Sequence, residues 1–154
     1  MKRLLFISVL TLLCTCATKA QNINIGERVP ELKISTWIGR QQPATAPLTY
    51  IEFYHSTSKA SRTSLDHLQA LSNKLGTKLA IIIVSQENSE PTIAALTPYV
   101  TSQISVGIDP TGKSYANFGV NFIPFGVLVD AKNRALWLGN TLQLTPEFIG
   151  KIEK

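Results

Sequence analysis

The apolar run from Leu79 to Val84 constrains the fold of this chain more than any other segment. It is unbroken by polar residues and is rich in Ile and Val, which favour strands. A strand with one solvent-facing side alternates apolar and polar residues, so a continuous run indicates a strand buried on both faces. Such strands belong to parallel sheets that are covered on both sides. We therefore expect a sheet between layers of helix.

Strand and helix signals alternate along the rest of the chain. Leu48–His55 is predicted to be a strand, and the leucines of Lys59–Leu75 recur at helical spacing until Gly76 ends the helix. Upstream, a strand pair or hairpin is predicted between Gly26 and Gly39. Downstream, the pattern predicts a short helix opened by Glu90-Pro91 and curtailed by Pro98, a strand at Ser105–Ile108 and a helix at Lys113–Phe118. A hairpin of Val127–Asp130 with Arg134–Leu138 and a last helix capped by Thr145-Pro146-Glu147 follow. The predicted fold class is α/β, a mixed central sheet flanked by helices with an N-terminal strand or hairpin extension.

The first twenty residues have the three-part layout of a secretory signal peptide. Lys2 and Arg3 precede an apolar run from Leu4 to Leu13, and small residues lead to Ala20. The run is too short for a spanning helix, which needs about 20 residues. We predict cleavage after Ala20, a single domain over residues 21–154, and a location in the periplasm or cell envelope.

A lipid anchor is the alternative interpretation of this segment. Cys16 would be the acylated residue if Leu13-Cys14-Thr15 served as its recognition box, but such boxes usually place Gly, Ala or Ser where Thr15 stands. Soluble export is the preferred hypothesis. The chain has two cysteines, Cys14 and Cys16, so cleavage after Ala20 leaves a protein without cysteine.

Charge and residue spacing exclude two other classes of function. The chain has a formal net charge of +5, and loss of the three basic residues Lys2, Arg3 and Lys19 lowers it to about +2. No run of Lys and Arg interleaves with aromatic residues, so we expect no nucleic-acid binding. His55 and His67 are not at metal-ligand spacing, and we expect neither a metal nor a cofactor.

The segment from Tyr50 to Arg62 carries an acid in an apolar strand, then small polar residues, then the predicted helix. This order resembles the thioredoxin-like superfamily, in particular the exported TlpA/ResA-type thiol-disulfide oxidoreductases. In that family a buried acid and an aromatic residue end the first core strand, and Cys-x-x-Cys opens the next helix. On this pattern Glu52 matches the acid, and Ser58-Lys59-Ala60-Ser61 replaces the cysteine motif.

The second half of the chain extends the resemblance over most of the predicted domain. The family pattern of an Asp-x-x-Gly turn, an aromatic-Gly-Val helix end, a proline and an apolar strand ending in Asp appears here in full: Asp109…Gly112, Phe118-Gly119-Val120, Ile123-Pro124 and Val127–Asp130. In the family this proline is cis, and substrate peptides pair with the backbone before it. The resemblance therefore implies a cis Pro124 and a peptide groove. Its expected walls are Tyr54, His55, Thr57, Ile123 and Phe125.

The serines remove the family's chemistry. Disulfide exchange needs a thiolate that attacks sulfur and a second thiol that resolves the mixed disulfide. Ser58 and Ser61 supply neither, so no catalytic residue is expected. Ser58 is equally well explained as a helix N-cap. Glu52 is either a buried acid with a raised pKa or the partner of Lys59 or Lys78. A serine–histidine hydrolase using His55 and Ser58 lacks a nucleophile elbow and an orienting acid.

Three functional hypotheses follow from these observations. The preferred one is a non-catalytic module that binds an extended peptide or an envelope protein at the Pro124 groove. The alternatives are a thiol-disulfide oxidoreductase-like role in the cell envelope and a structural accessory domain whose function lies on another surface. A fold alone does not choose among them.

Overall fold

A mixed six-stranded sheet forms the centre of the protein. The computed structural model describes residues 23–152. The strands are β1 (Thr36–Trp37), β2 (Leu48–Tyr54), β3 (Leu79–Ser85), β4 (Ile104–Ile108), β5 (Phe125–Asp130) and β6 (Ala135–Gly139). The helices are α1 (Lys59–Leu75), α2 (Glu90–Leu96), α3 (Lys113–Asn117) and α4 (Pro146–Ile152). The predicted α/β class is confirmed.

The strands lie in the order β1-β4-β3-β2-β5-β6. Strands β2, β3 and β4 are parallel and joined through helices, whereas β5 and β6 form the predicted antiparallel hairpin beside β2. Every residue of β3 is buried, as its unbroken apolar sequence predicts. Asn133 closes the β5–β6 turn at a φ of 60°, a conformation that Asn tolerates better than most residues.

Two apolar clusters cover the two faces of the sheet. Residues at alternate positions of β2, including Tyr50 and Tyr54, face the leucines of α1 together with residues of α2 and α4. Ile51 and Phe53 face the opposite side, where α3 and the segment before β2 complete the second cluster. This alternation follows from the two-residue repeat of a strand, and it places Glu52 on the α1 side.

The N-terminal segment forms no hairpin. Arg28 makes an isolated bridge to Arg134 beside β6, whereas Thr36 and Trp37 pair with β4 at the opposite edge of the sheet. The two extended stretches therefore pair with different edges and not with each other. Their apolar side chains, among them Val29 and Leu32, pack on the sheet face that α3 is too short to cover.

The predicted signal peptide and the alternative anchor at Cys16 lie outside the described residues. Within residues 23–152, no helix has the length and apolarity needed to cross a membrane.

Candidate functional site

The junction between β2 and α1 carries Ser58 and Ser61, the two serines that the resemblance aligned with the family's cysteines. The Ser58 hydroxyl accepts the Ser61 amide at 3.1 Å, so Ser58 is the N-cap of α1. Ser61 is fully buried, and its hydroxyl accepts the His55 amide at 3.2 Å. Both hydroxyls thus stabilise the main chain of the loop and of the first helical turn.

Glu52 lies beneath this turn and is fully buried. Ser64 Oγ is 2.6 Å from Glu52 Oε1, and the Thr141 hydroxyl donates to Oε2. Burial raises the pKa of Glu52 to about 8, because desolvation of the carboxylate outweighs the hydrogen bonds from the two hydroxyls. Of the two alternatives for this acid, the structure supports the buried carboxyl with a raised pKa.

Tyr50 extends this hydrogen-bond network away from α1. The Tyr50 hydroxyl donates to Thr141 Oγ1 at 2.9 Å, and burial holds the pKa of Tyr50 well above its usual range. A Cβ atom on Gly126 would lie only 1.8 Å from Tyr50 Oη, so a glycine is required where β5 passes this hydroxyl. The network therefore depends on a close approach of backbone and side chain on the sheet.

Glu87, from the loop after β3, holds the residues before Ser58. Its carboxylate accepts the Ser56 amide at 2.7 Å and the Ser56 hydroxyl at 2.5 Å, while the Arg62 guanidinium donates to the Ser56 carbonyl. His55 Nδ1 lies 3.0 Å from Thr57 Oγ1 and 3.9 Å from Glu87. Among the hydrogen bonds of residues 23–152, none joins His55 to the Ser58 hydroxyl, so the geometry gives no support to a serine–histidine hydrolase.

The segment before β5 approaches the same end of the sheet. The Ile123–Pro124 peptide bond is cis, as the resemblance implied. Phe53 pairs with Phe125, so the chain turns at Pro124 beside the end of β2 from which the Ser58 loop departs. Phe122 is 47% exposed, and its ring contacts the Phe125 ring edge-to-face at 5.2 Å between centroids.

An apolar depression, here called the Phe122 cleft, opens beside this segment. It is lined by Ile23, Phe118, Gly119, Asn121, Phe122, Phe125 and Leu138. Its floor belongs to the second apolar cluster, on the sheet face opposite α1. Among the residues that line the cleft, Phe122 is a large apolar residue that is exposed to solvent.

The predicted groove walls are only partly brought together. Thr57 is exposed and His55 and Ile123 are half-buried, but Tyr54 is 1% exposed and Phe125 is 6% exposed. Tyr54 packs with α1, whereas Phe125 shares the other face with Phe53. Strand alternation directs these two side chains into different clusters, so they do not form one common wall.

Several residues of the site were missed in the sequence. Ser64 follows Ser61 by three positions and precedes Leu68 by four, so extending the leucine stripe of α1 backwards would have placed it on the buried face. Phe122 is an aromatic residue two positions before Pro124, in a predicted loop. Thr141 and Glu87 carry no local signal, because each reaches the site from a distant loop.

Comparison with solved structures identifies the architecture. A thioredoxin-like protein from Parabacteroides distasonis superposes with a TM-score of 0.61 at 16% identity, covering 88% of this chain and 98% of that one. A peroxiredoxin-like protein from Aquifex aeolicus gives a TM-score of 0.64 at 12% identity, covering 86% and 87% of the two chains. The exposed lipoprotein thioredoxin of Streptococcus pneumoniae gives 0.57 at 14%, covering 70% and 84%. The chain has a thioredoxin-like fold. No family model matches the sequence, and no curated protein matches it either.

In this thioredoxin-like fold Ser58-Lys59-Ala60-Ser61 lies at the start of α1, beside the turn at Pro124. The described residues contain no cysteine, and no group of three His, Cys, Asp or Glu side chains among them is placed to hold a metal ion. The groups present can hydrogen-bond, exchange protons and expose an apolar surface. Disulfide exchange requires two thiols, and residues 23–152 supply none.

Proposed function

We propose that this protein is an exported thioredoxin-like module that has lost disulfide exchange and binds an extended peptide or an envelope protein noncovalently. The binding surface is the Phe122 cleft together with the main chain of residues 121–123. The exposed Phe122 ring beside unpaired main-chain groups is the observation that carries this proposal.

The main chain of residues 121–123 supports binding by strand addition. Among the hydrogen bonds of residues 23–152, none is donated by the amides of Asn121, Phe122 or Ile123. Asn121 and Phe122 are exposed. An extended peptide can pair with such groups, and pockets beside them can select its side chains.

The apolar lining supplies the second part of the recognition. A half-exposed phenylalanine held edge-to-face on a buried one offers apolar area with little rotamer freedom left to lose. Bulky apolar side chains of a peptide would fill the cleft. Because residues 23–152 contain no thiol that could trap the partner as a mixed disulfide, retention depends on these noncovalent contacts alone.

The N-terminal sequence pattern supports an envelope location, and the solved structures of the same fold include an exposed lipoprotein. The thiol-disulfide oxidoreductase role remains the alternative function, since solved structures that superpose on this chain include an enzyme described by that activity from Bacteroides fragilis. The absence of cysteine after Cys16 argues against it for this chain.

A peptide titration tests the binding function. Isotope-labelled exported protein would be titrated with extended peptides that contain bulky apolar residues, and the amide shifts mapped by NMR. We expect shifts at residues 118–125 and near Ser58. F122A should weaken binding about tenfold, which is the loss expected for an aromatic contact worth about 1.4 kcal/mol.

The matched control is F148A. Phe148 is 38% exposed and, like Phe122, contacts another aromatic ring edge-to-face, that of Trp137. It lies on α4. Its replacement should leave peptide affinity unchanged. Equal weakening in both variants, or shifts confined to surfaces away from residues 118–125, would favour the structural accessory domain.

A further inference from the structure

One buried hydroxyl at the start of α1 has two acceptors but a single proton. Ser64 Oγ lies 2.6 Å from Glu52 Oε1 and 2.7 Å from the Ser61 carbonyl oxygen. A serine hydroxyl donates one hydrogen bond and accepts others. It can therefore serve both neighbours only when one of them donates to it, and the Glu52 carboxyl is the neighbour that can carry a proton.

We propose that Glu52 and Ser64 form a proton-operated switch, in which the Ser64 hydroxyl donates either to the Ser61 carbonyl or to the Glu52 carboxylate. In the protonated state Glu52 donates from Oε1 to Ser64 Oγ, and Ser64 donates to Ser61. In the ionised state the Ser64 proton turns to Glu52. The Ser61 carbonyl then keeps only the main-chain bond of the helix.

The opposite side of the carboxyl fixes the direction of this relay. Tyr50 donates to Thr141 Oγ1, so the single Thr141 proton is left for Glu52 Oε2. Oε2 is consequently an acceptor in both states, and the carboxyl proton belongs on Oε1, toward Ser64. A chain of hydrogen bonds then runs from Tyr50 through Thr141, Glu52 and Ser64 to the Ser61 carbonyl. Each hydroxyl in it donates one hydrogen bond, and no two protons point at each other.

Among residues 23–152, no charged group contributes to the pKa shift of Glu52. Its neighbours across the sheet are Ile83 on β3 and Gly126 on β5. The ionisable groups that interact electrostatically with Glu52 are Tyr50 on β2 and Tyr115 on α3. Burial raises the pKa of both phenols, so both stay neutral. The groups that reach it from α1 and from residues 141–143 are hydroxyls. The raised pKa of Glu52, about 8, puts its titration between pH 5 and pH 10.

The switch acts on the loop that carries Ser58 and Ser61. The amide of Ser61 is capped by Ser58, and its hydroxyl accepts the His55 amide. A change at the Ser61 carbonyl therefore occurs in the residue that ties this loop to the helix. The proposal does not depend on peptide binding.

An NMR titration of the full exported protein tests the switch. Between pH 5 and pH 10 we expect the Glu52 side-chain carboxyl carbon and the Ser61 carbonyl carbon to titrate with one midpoint. The Ser61 carbon should move upfield as its second donor is lost. In E52Q the amide nitrogen must face Ser64 and the oxygen Thr141, so Ser61 should remain at its low-pH shift throughout.

S64A separates the hydroxyl relay from the direct field of the carboxylate. Glu52 should still titrate in S64A, but the Ser61 carbonyl shift should no longer follow it. If Ser61 moves equally in S64A and in the unmodified protein, the relay is wrong. It is also wrong if Glu52 titrates while Ser61 stays fixed, if Glu52 does not titrate in this range, or if E52Q shows the same Ser61 shift change as the unmodified protein.

Discussion

Ser64 Oγ lies 2.6 Å from the carboxylate of Glu52, and the two residues are twelve positions apart, on α1 and on β2. The contact joins the strand and the helix on either side of the loop that carries Ser58. Glu52 therefore lies buried beneath this loop. Because burial raises the pKa of Glu52, we expect the stability of the fold to depend on pH.

The free energy of unfolding should fall as the pH rises above the ordinary carboxyl value. The pKa of Glu52 is raised from 4.5 to about 8, so between these values the folded chain holds a proton that the unfolded chain has released. The resulting stabilisation is fully present below pH 4.5 and is lost up to about pH 8, with a slope approaching about 1.4 kcal/mol per pH unit. Denaturant unfolding at several pH values measures it.

E52Q provides the control for that slope. The amide cannot ionise, so this contribution should vanish and the variant should overtake the unmodified protein in stability on the alkaline side. Parallel stability curves for the two proteins would show that Glu52 does not titrate between the folded and unfolded states in the way described.

G126A should be strongly destabilising. The added Cβ would lie 1.8 Å from Tyr50 Oη and 2.2 Å from Cζ of the same ring, in a fully buried part of the sheet, so the ring must move and its bond to Thr141 is lost. Overpacking of this kind costs about 1–3 kcal/mol. Thermal unfolding measures the effect.

G150A is the matched control for G126A. Nothing lies within 4 Å of a Cβ built on Gly150, which is in α4. Alanine in a helix should stabilise by about 0.5–1 kcal/mol. A G126A protein as stable as G150A would contradict the close approach of β5 to Tyr50.

The N-terminus of the exported protein should be Gln21. Mass spectrometry of protein recovered from the cell envelope measures it directly, and cyclisation of Gln21 to pyroglutamate would appear as a loss of ammonia. A diacylated N-terminal peptide that begins at Cys16 would replace soluble export with a lipid anchor.

Much of the fold was predictable because its signals are local. The unbroken β3 sequence, the leucine spacing of α1 and the cap at Ser58 each depend on neighbouring residues, and the structure confirms all three. Of the two predicted forms of the N-terminal extension, strand or hairpin, the hairpin was wrong. An extended sequence does not specify which sheet edge it pairs with. Arg28 and Thr36 pair with opposite edges.

The candidate site was less predictable because its contacts are distant in sequence. Thr141 meets Glu52 across 89 positions and Glu87 meets Ser56 across 31, and neither pair leaves a pattern in the chain. The interior position of Tyr54 was accessible in principle, since it shares strand parity with Glu52. Strand parity therefore predicts that the Tyr54 side chain packs in the cluster that faces α1, where the structure places it.

Disulfide exchange by the unmodified protein and by the double variant S58C/S61C tests the central claim most directly. Insulin reduction coupled to glutathione should stay at buffer background for the unmodified protein. The double variant should form an intramolecular disulfide, because its thiols would lie at the N-terminus of α1, where thiolates are stabilised. The single variants S58C and S61C are the controls and should form no such bond. Turnover by the unmodified protein would contradict the loss of redox function, and a double variant that never forms the internal disulfide would contradict the placement of Ser58 and Ser61 at the thiol positions.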